Sequence, residues 1–341
     1  MEAIDRKNGH IDLALNQKPQ DSAFDQWRLT HRALPEVNFA EISLSTEFLG
    51  QQIAAPIFIS SMTGGPARAE QINHSLATAC RELGLAMGVG SQRIALETTH
   101  QTGMTRAIRD AIGRQPLMAN FGAINLVDLP HPSTLSRILD PLEADGLILH
   151  LNPMQEIFQA QGDTNWLHVI DHIAAVCAWS PVPVIVKEVG FGLDPESARL
   201  LSDAGVSVLD VAGRGGTRFD VIERQLRPQE KSLPSADAFA GWGYSTAESI
   251  QLCAKSVKTT LWASGGIRHG VDVAKALSLG ASACGVGGAI LPAALHSTDA
   301  TIQFLEQMLL DLRVACYGCG APSSDSLSPQ HLIAGSNNAT T

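Results

Sequence analysis

Eight short apolar runs, each closed by glycine or polar residues and followed by a helical pattern, constrain this chain more than any other feature. In order they are Pro56-Ile57-Phe58-Ile59-Ser60-Ser61, Ala86-Met87-Gly88-Val89-Gly90, Leu117-Met118-Ala119-Asn120, Gly146-Leu147-Ile148-Leu149-His150-Leu151-Asn152, Val182-Pro183-Val184-Ile185-Val186-Lys187-Glu188, Val206-Ser207-Val208-Leu209-Asp210-Val211, Leu261-Trp262-Ala263-Ser264 and Cys284-Gly285-Val286. Apolar residues at helical spacing lie between them, as in Ile72, Leu76, Ala79, Cys80 and Leu83, and over 135–142, 166–176 and 195–204. Strands joined by helices must run parallel, and eight such units close into a (β/α)8 TIM barrel of the α/β class. An open doubly wound sheet fits less well, because it carries its glycine-rich phosphate turn after the first strand. Here the glycine pairs Gly265-Gly266 and Gly287-Gly288 end the last two strands. Aromatic residues make up only 5% of the chain, so the strands rest on Val, Ile, Leu and Ala.

A glycine pair lets the backbone approach a bulky group and aim its N–H groups at it. A helix starting behind it adds positive potential. Two such turns late in a β/α chain describe a phosphate site on the catalytic face of a barrel. The connection between Val211 and Thr260 is long for a compact domain and follows a strand, which predicts a lid or binding loop over 212–258. Residues 1–50 read as polar and irregular, 51–320 as the barrel, and 321–341 as a Ser-, Asn- and Thr-rich tail.

The net charge of −10 argues against a nucleic-acid partner, and an anionic small substrate would need a local basic cluster. No apolar run approaches the ~20 residues that span a membrane, and the first residues hold no apolar signal core. The six cysteines are scattered and read as reduced thiols of a cytoplasmic protein. Cys316-Tyr317-Gly318-Cys319 is a lone CxxC after the amphipathic pattern 304–314, and zinc would need two further ligands.

Polar residues at the C-terminal ends of barrel strands line the site. Here they are Ser61-Met62-Thr63, Ser91-Gln92-Arg93, Asn120, His150 with Asn152, Gln155-Glu156, Lys187 and Thr217. Lys187 is either a lysine leaving the core or a cation fixed beside an anion or an electron-rich ring. Glu156 is either a solvated helix-start carboxylate or a Mg²⁺ ligand, since one carboxylate with substrate oxygens and waters commonly suffices. His150 is a general base or a hydrogen-bonding residue. Arg6 and Lys7 alone read as a solvated terminus.

The chain resembles the type 2, FMN-dependent isopentenyl-diphosphate isomerases. The resemblance rests on Arg6-Lys7-x-x-His10-Ile11, Ser61-Met62-Thr63-Gly64-Gly65, Gly90-Ser91-Gln92-Arg93, Asn120-x-Gly122, His150-Leu151-Asn152-Pro153-x-Gln155-Glu156, Lys187-Glu188-Val189-Gly190-x-Gly192, Asp210-Val211-Ala212-Gly213-x-Gly215-Gly216-Thr217, Gly241-x-Gly243 and Ser264-Gly265-Gly266-Ile267-Arg268. It runs in order from residue 6 to about 315. It implies interconversion of isopentenyl and dimethylallyl diphosphate, in isoprenoid biosynthesis, with reduced FMN as acid and base, Mg²⁺, and NADPH as reductant. Ser61, Met62, Thr63, Ser91, Asn120 and Lys187 would hold the flavin ring. Thr217, Gly265, Gly266, Ile267 and Arg268, with Gly287 and Gly288, would hold its phosphate.

By the same resemblance Arg6, Lys7, His10, Arg93, His150 and Asn152 would meet the substrate diphosphate. Gln155 would lie at the substrate carbons, Glu156 would bind Mg²⁺, and Glu223 would be an acid that places the metal or a proton. Segment 1–50 then becomes a flap over the site. A homo-oligomer, a tetramer or octamer, is implied as well. Two departures stand out: Gly287-Gly288-Ala289 lacks the basic residue some members carry, and Tyr244 and Tyr317 are the only phenols. The rival expectation is an FMN-dependent 2-hydroxy-acid oxidase or dehydrogenase. That chemistry needs a histidine beside an arginine after the sixth or seventh strand, and no histidine occurs there before His269. A non-catalytic phosphate-binding barrel would be marked by loss of Gln155 and Glu156, and both are present.

Overall fold

The computed structural model describes residues 3–17, 23–62, 67–93, 106–128, 132–159 and 161–335. Twelve strands are seen among them: β1 Trp27–Leu29, β2 Thr46–Phe48, β3 Gln51–Ile53, β4 Ile57–Ile59, β5 Ala86–Gly88, β6 Leu117–Gly122, β7 Gly146–Leu151, β8 Val184–Glu188, β9 Val208–Asp210, β10 Thr260–Ser264, β11 Ala283–Val286 and β12 Leu332–Ala334. Strands β4 to β11 close into one parallel barrel in chain order, with β11 against β4. Each of the eight apolar runs therefore became a barrel strand, trimmed or extended by one or two residues. They are apolar along their length because both faces are covered, one by helices and one by the barrel interior.

The barrel interior is filled by Phe58, Ala86, Met118, Ile148, Ile185, Val208, Trp262 and Ala283, contributed by all eight strands. Its floor is closed by the β2–β3 hairpin, which turns through Leu49 and Gly50 with φ of 50° and 79°. Two positive φ values in a two-residue loop match the right-handed twist of a hairpin. Phe48 from this hairpin stacks on Trp262 at 4.3 Å between ring centroids. Sealed below, the barrel is open only toward the C-terminal ends of its strands.

Register then sets the chemistry of the mouth. Gly122 pairs with His150, His150 with Lys187, Lys187 with Asp210, and Asp210 with Trp262. His150, Lys187 and Asp210 thus stand at one level on three neighbouring strands.

Three segments differ from expectation. Residues 3–16 form a helix, Ala3–Asn16, not an irregular segment. Its periodicity is weak, and tertiary bonds hold it. Gln17 exchanges two hydrogen bonds with the backbone of Arg218, at 2.8 and 3.0 Å. The long loop 212–258 is shorter than expected, because it contains the helix Thr246–Ala254, the ordinary barrel helix before β10. Its capping box, Ser245 with Glu248, is visible in the sequence and marks that start. The excess reduces to 212–245, which carries the helix Phe219–Leu226. After Ala321 the chain does not drift away: β12 pairs antiparallel with β1, Ile333 opposite Arg28. Residues 336–341 lie outside the described residues.

Cys316 and Cys319 lie in the last turn of the helix Thr298–Cys319, both buried, and burial pushes the Cys316 thiol up to about 12. All six cysteines are free thiols. Among the described residues no helix is long and apolar enough to cross a membrane.

Candidate active site

A cavity of about 780 Å³ occupies the barrel mouth and reaches under the N-terminal helix, within the size range of small-molecule sites. Every residue expected in the site from the sequence lines it, with three exceptions. Gln92 is buried behind the wall, where its side chain bonds Ile138 O and the Asn120 N–H. Thr63 lies outside the described residues. Glu223 sits just behind the wall.

The turns after β9, β10 and β11 form one side. Gly265 and Gly266 have φ of 91° and 80°, a region closed to most side chains. A Cβ on Gly265 would stand 2.2 Å from the Gly213 carbonyl oxygen. Among the described residues the amides of Gly265, Gly266, Gly287 and Gly288 have no acceptor within the protein. Arg268 caps this side, its Nη2 donating to Gly215 O at 3.0 Å. Free backbone donors converging on a polar cavity fit a phosphate group. At 287–289, where the basic residue is missing, these amides are the donors that a phosphate would meet.

Lys187 and Asp210 lie at the cavity base. Burial lowers the Lys187 ammonium, opposed by Asp210 and Glu188, and raises the Asp210 carboxyl, opposed by Lys187 and Ser264. Asp210 accepts from the Ser264 N–H and hydroxyl, each at 2.9 Å, and Lys187 Nζ donates to the Glu188 carbonyl at 2.7 Å. Lys187 is therefore buried at the cavity base, not a surface lysine. The Glu188 carboxyl is pushed up to about 7 by burial, while N–H groups of Phe191, Gly190 and Val189 at 2.6–2.7 Å pull it down. These bonds shape the turn after β8.

Asn120 is held at both ends of its amide. Its Nδ2 donates to Val89 O at 3.1 Å, and its N–H to Gln92 Oε1 at 3.1 Å. Its Oδ1 must therefore accept, and His150 Nδ1 donates to it at 2.9 Å. Burial holds the His150 imidazole down, to about 3, helped by the charges of Lys187 and Lys7. A ring held below its ordinary 6.5 binds fewer protons folded than unfolded between those pH values. Its contribution to stability is complete above about 6.5 and is lost as pH falls toward 3. His150→Gln should therefore flatten the loss of thermal stability between pH 6.5 and 4, measured against the unmodified protein. Equal slopes would show that His150 is not held neutral.

The side expected to hold a metal is built on the helix Pro153–Ile157. Glu156 Oε1 accepts from Asn152 Nδ2 at 2.7 Å, and Oε2 from the Asp163 N–H at 2.9 Å. Each oxygen keeps a lone pair, and the buried Asn152 Oδ1 has no partner. Anionic and carbonyl oxygens with spare lone pairs suit Mg²⁺, so the residues present fit that ion.

The N-terminal helix brings its cations to the opposite wall. Glu223 Oε1 accepts from Arg6 Nη2 at 3.2 Å and Gln155 Nε2 at 3.0 Å, and it pairs with His10 Nε2 at 3.0 Å. Burial raises the Glu223 carboxyl, but His10, Arg6 and Gln155 together bring it below its usual value. Arg93 pairs with Asp163 at 2.9 Å across the mouth.

Sequence reasoning missed Asn125, Gln159, Phe219 and Arg227, which also line the cavity. Only Arg227 had a signal, standing four residues after Glu223 at the end of one helix, so that the two share a face. The histidine that a 2-hydroxy-acid oxidase would need is not in the turns after β9 and β10. His269 instead caps the next helix, its Nδ1 accepting from the Asp272 N–H at 3.3 Å.

Comparisons with known proteins agree with this geometry. The FMN-dependent dehydrogenase family matches residues 7–110 and 127–334. An isopentenyl-diphosphate delta-isomerase of Vibrio parahaemolyticus is 44% identical over 328 residues, covering 95% of this chain and 97% of that protein. One of Xanthobacter autotrophicus is 45% identical over 327 residues, covering 94% and 95%. A soluble mutant of the membrane-associated (S)-mandelate dehydrogenase from Pseudomonas putida superposes with a TM-score of 0.67 at 18% identity, covering 98% of this chain and 100% of that one, a likeness of fold alone. Glycine amides without acceptors, a buried lysine at the end of β8 and relatives of that identity over nearly the whole chain lead to one conclusion: the chain belongs to the FMN-dependent, type 2 isopentenyl-diphosphate delta-isomerases.

Proposed function

We propose that this enzyme interconverts isopentenyl diphosphate and dimethylallyl diphosphate by a 1,3 shift of the double bond. The observation that carries the reading is one cavity with two polar ends. One end has free glycine amides, and the other gathers Arg6, Lys7, His10 and Arg93 around Glu156 and Gln155. A flavin phosphate fits the first and a diphosphate with Mg²⁺ fits the second.

The glycine turns would hold the phosphate of reduced FMN, which would supply acid–base chemistry with no net redox change. The chain's residues do the rest. Arg6, Lys7, His10 and Arg93, with His150 and Asn152, line the part of the cavity that would take the diphosphate, and Glu156 would hold Mg²⁺ there. Gln155 gives its Nε2–H to Glu223, which leaves its Oε1 to face the substrate. Glu223, ionised among its three donors, can accept a proton when the diphosphate draws Arg6 and His10 away. Ile11, Ala14 and Leu15 on the N-terminal helix roof the cavity and exclude water from the allylic carbons.

The reading extends to NADPH as reductant, to the cytoplasm, where six free thiols suit a reducing compartment, and to a homo-oligomer, tetramer or octamer. The test is proton NMR in D2O with FMN, Mg²⁺ and a reductant under anaerobic conditions. Conversion with deuterium uptake is expected only with reduced flavin, with loss of turnover on chelation and recovery on adding Mg²⁺. Bound FMN that is bleached by a 2-hydroxy acid, with no isomerisation, would overturn the reading in favour of the oxidase.

A further inference from the structure

We propose that Arg227 is a substrate-binding residue that donates to the diphosphate from the wall formed by the helix Phe219–Leu226, and that it sets the preference for a diphosphate over a monophosphate. The inference rests on the functional reading above.

Arg227 closes that helix, with φ of −137° and ψ of 61°. Its backbone is held in place: its carbonyl accepts from Arg224 Nη1 at 2.5 Å and from the Glu230 N–H at 3.2 Å. Its side chain lines the cavity, yet Nη1 is buried with no hydrogen-bond partner. Among the described residues no carboxylate comes within ion-pair distance of Arg227, whereas Arg6 and His10 share Glu223 and Arg93 has Asp163. A buried guanidinium N–H without an acceptor bears the desolvation of a charged donor with nothing in return. Such a group persists in a cavity wall when a ligand supplies the acceptor.

Other orphan donors face the same cavity, among them Arg6 Nε and Gln159 Nε2. They come from the N-terminal helix and from the segment after β7, so three separate elements present unsatisfied donors to one space. A diphosphate brings more negative charge and a longer reach than one phosphate, so it can meet Arg227 as well as Arg6, Lys7, His10 and Arg93, which line the same cavity. Among the described residues the guanidinium Nη1 makes no bond that would tie it to the fold.

The test is calorimetric titration of the purified protein with inorganic diphosphate and with inorganic phosphate, for the unmodified chain, Arg227→Met and Arg227→Lys. Melting temperature, bound flavin and steady-state kinetics are measured on the same samples. Arg227→Met should weaken diphosphate binding about 10- to 100-fold, the usual range for losing a charge-assisted bond. Phosphate binding should change far less, KM should rise with kcat nearly unchanged, and the melting temperature should hold. Arg227→Lys should recover part of the loss. Equal diphosphate affinity in Arg227→Met overturns the inference, as does a lower melting temperature with unchanged affinity, which would make the residue structural. Isomerisation by the unmodified chain together with either result leaves the functional reading intact. Absence of both isomerisation and diphosphate binding in the unmodified chain removes both.

Discussion

Glu223→Gln is expected to lower kcat on the order of 10²- to 10⁴-fold, the usual worth of a placed acid or base, while bound FMN stays stoichiometric. The carboxylate is buried, with a side-chain exposure of 4%, and one oxygen serves Arg6, His10 and Gln155. A carboxamide keeps an acceptor but loses the charge. Arg6 would then lose its counter-charge, and the carboxamide would compete with Gln155 as a donor. Both effects release the N-terminal helix, so KM should rise along with the fall in kcat. The melting temperature should fall less than for a fully buried pair, because the Arg6 side chain is one-third exposed and solvent screens it. Glu223→Asp keeps the charge but retracts it, and should lie between. Turnover of Glu223→Gln within threefold of the unmodified enzyme, in the deuterium-exchange NMR assay, would remove Glu223 from the chemistry.

Gly265→Ala is expected to abolish retention of FMN and to destabilise the chain. Holding alanine at φ of 91° costs about 1–3 kcal/mol by itself. The new methyl would also sit 2.2 Å from a backbone oxygen, of Gly213, that has no rotamer to move to. The turn after β10 must shift, and the amides that cradle the phosphate shift with it. Gly287→Ala is the control. Its φ is −126° and its nearest neighbour to a Cβ would be Met62 Cγ at 3.8 Å. That variant should keep its melting temperature and lose only flavin affinity, by crowding the cavity. The ratio of flavin to protein absorbance after purification reads both. Stoichiometric FMN in Gly265→Ala would place the phosphate elsewhere.

The barrel was legible because its signals are local. A strand buried on both faces must be apolar along its length, so Ile57–Ile59 or Val184–Glu188 announce themselves wherever they end up. Parallel topology then places the last residue of each strand at the same mouth, and Asn120, His150 and Lys187 could be assigned to one site before any coordinate was known. Glycine pairs are local in the same sense, since a left-handed turn is a property of two residues.

What stayed hidden depends on closure. The N-terminal helix has little amphipathic pattern because polar partners hold it. Arg6 meets Glu223 across 217 positions of sequence. Phe48 reads as one more apolar residue until the hairpin carries it onto Trp262 to seal the barrel floor. The tautomer of His150 follows from where Asn120 spends its amide, and the significance of Arg227 from the lack of any acceptor beside it. The sequence by itself determined the strands, their order, the glycine turns and most of the residues that line the cavity, because burial and backbone conformation are written residue by residue. Only the tertiary structure decided which charges are paired, which are neutral and which await a ligand, because those depend on distances between residues far apart in the chain.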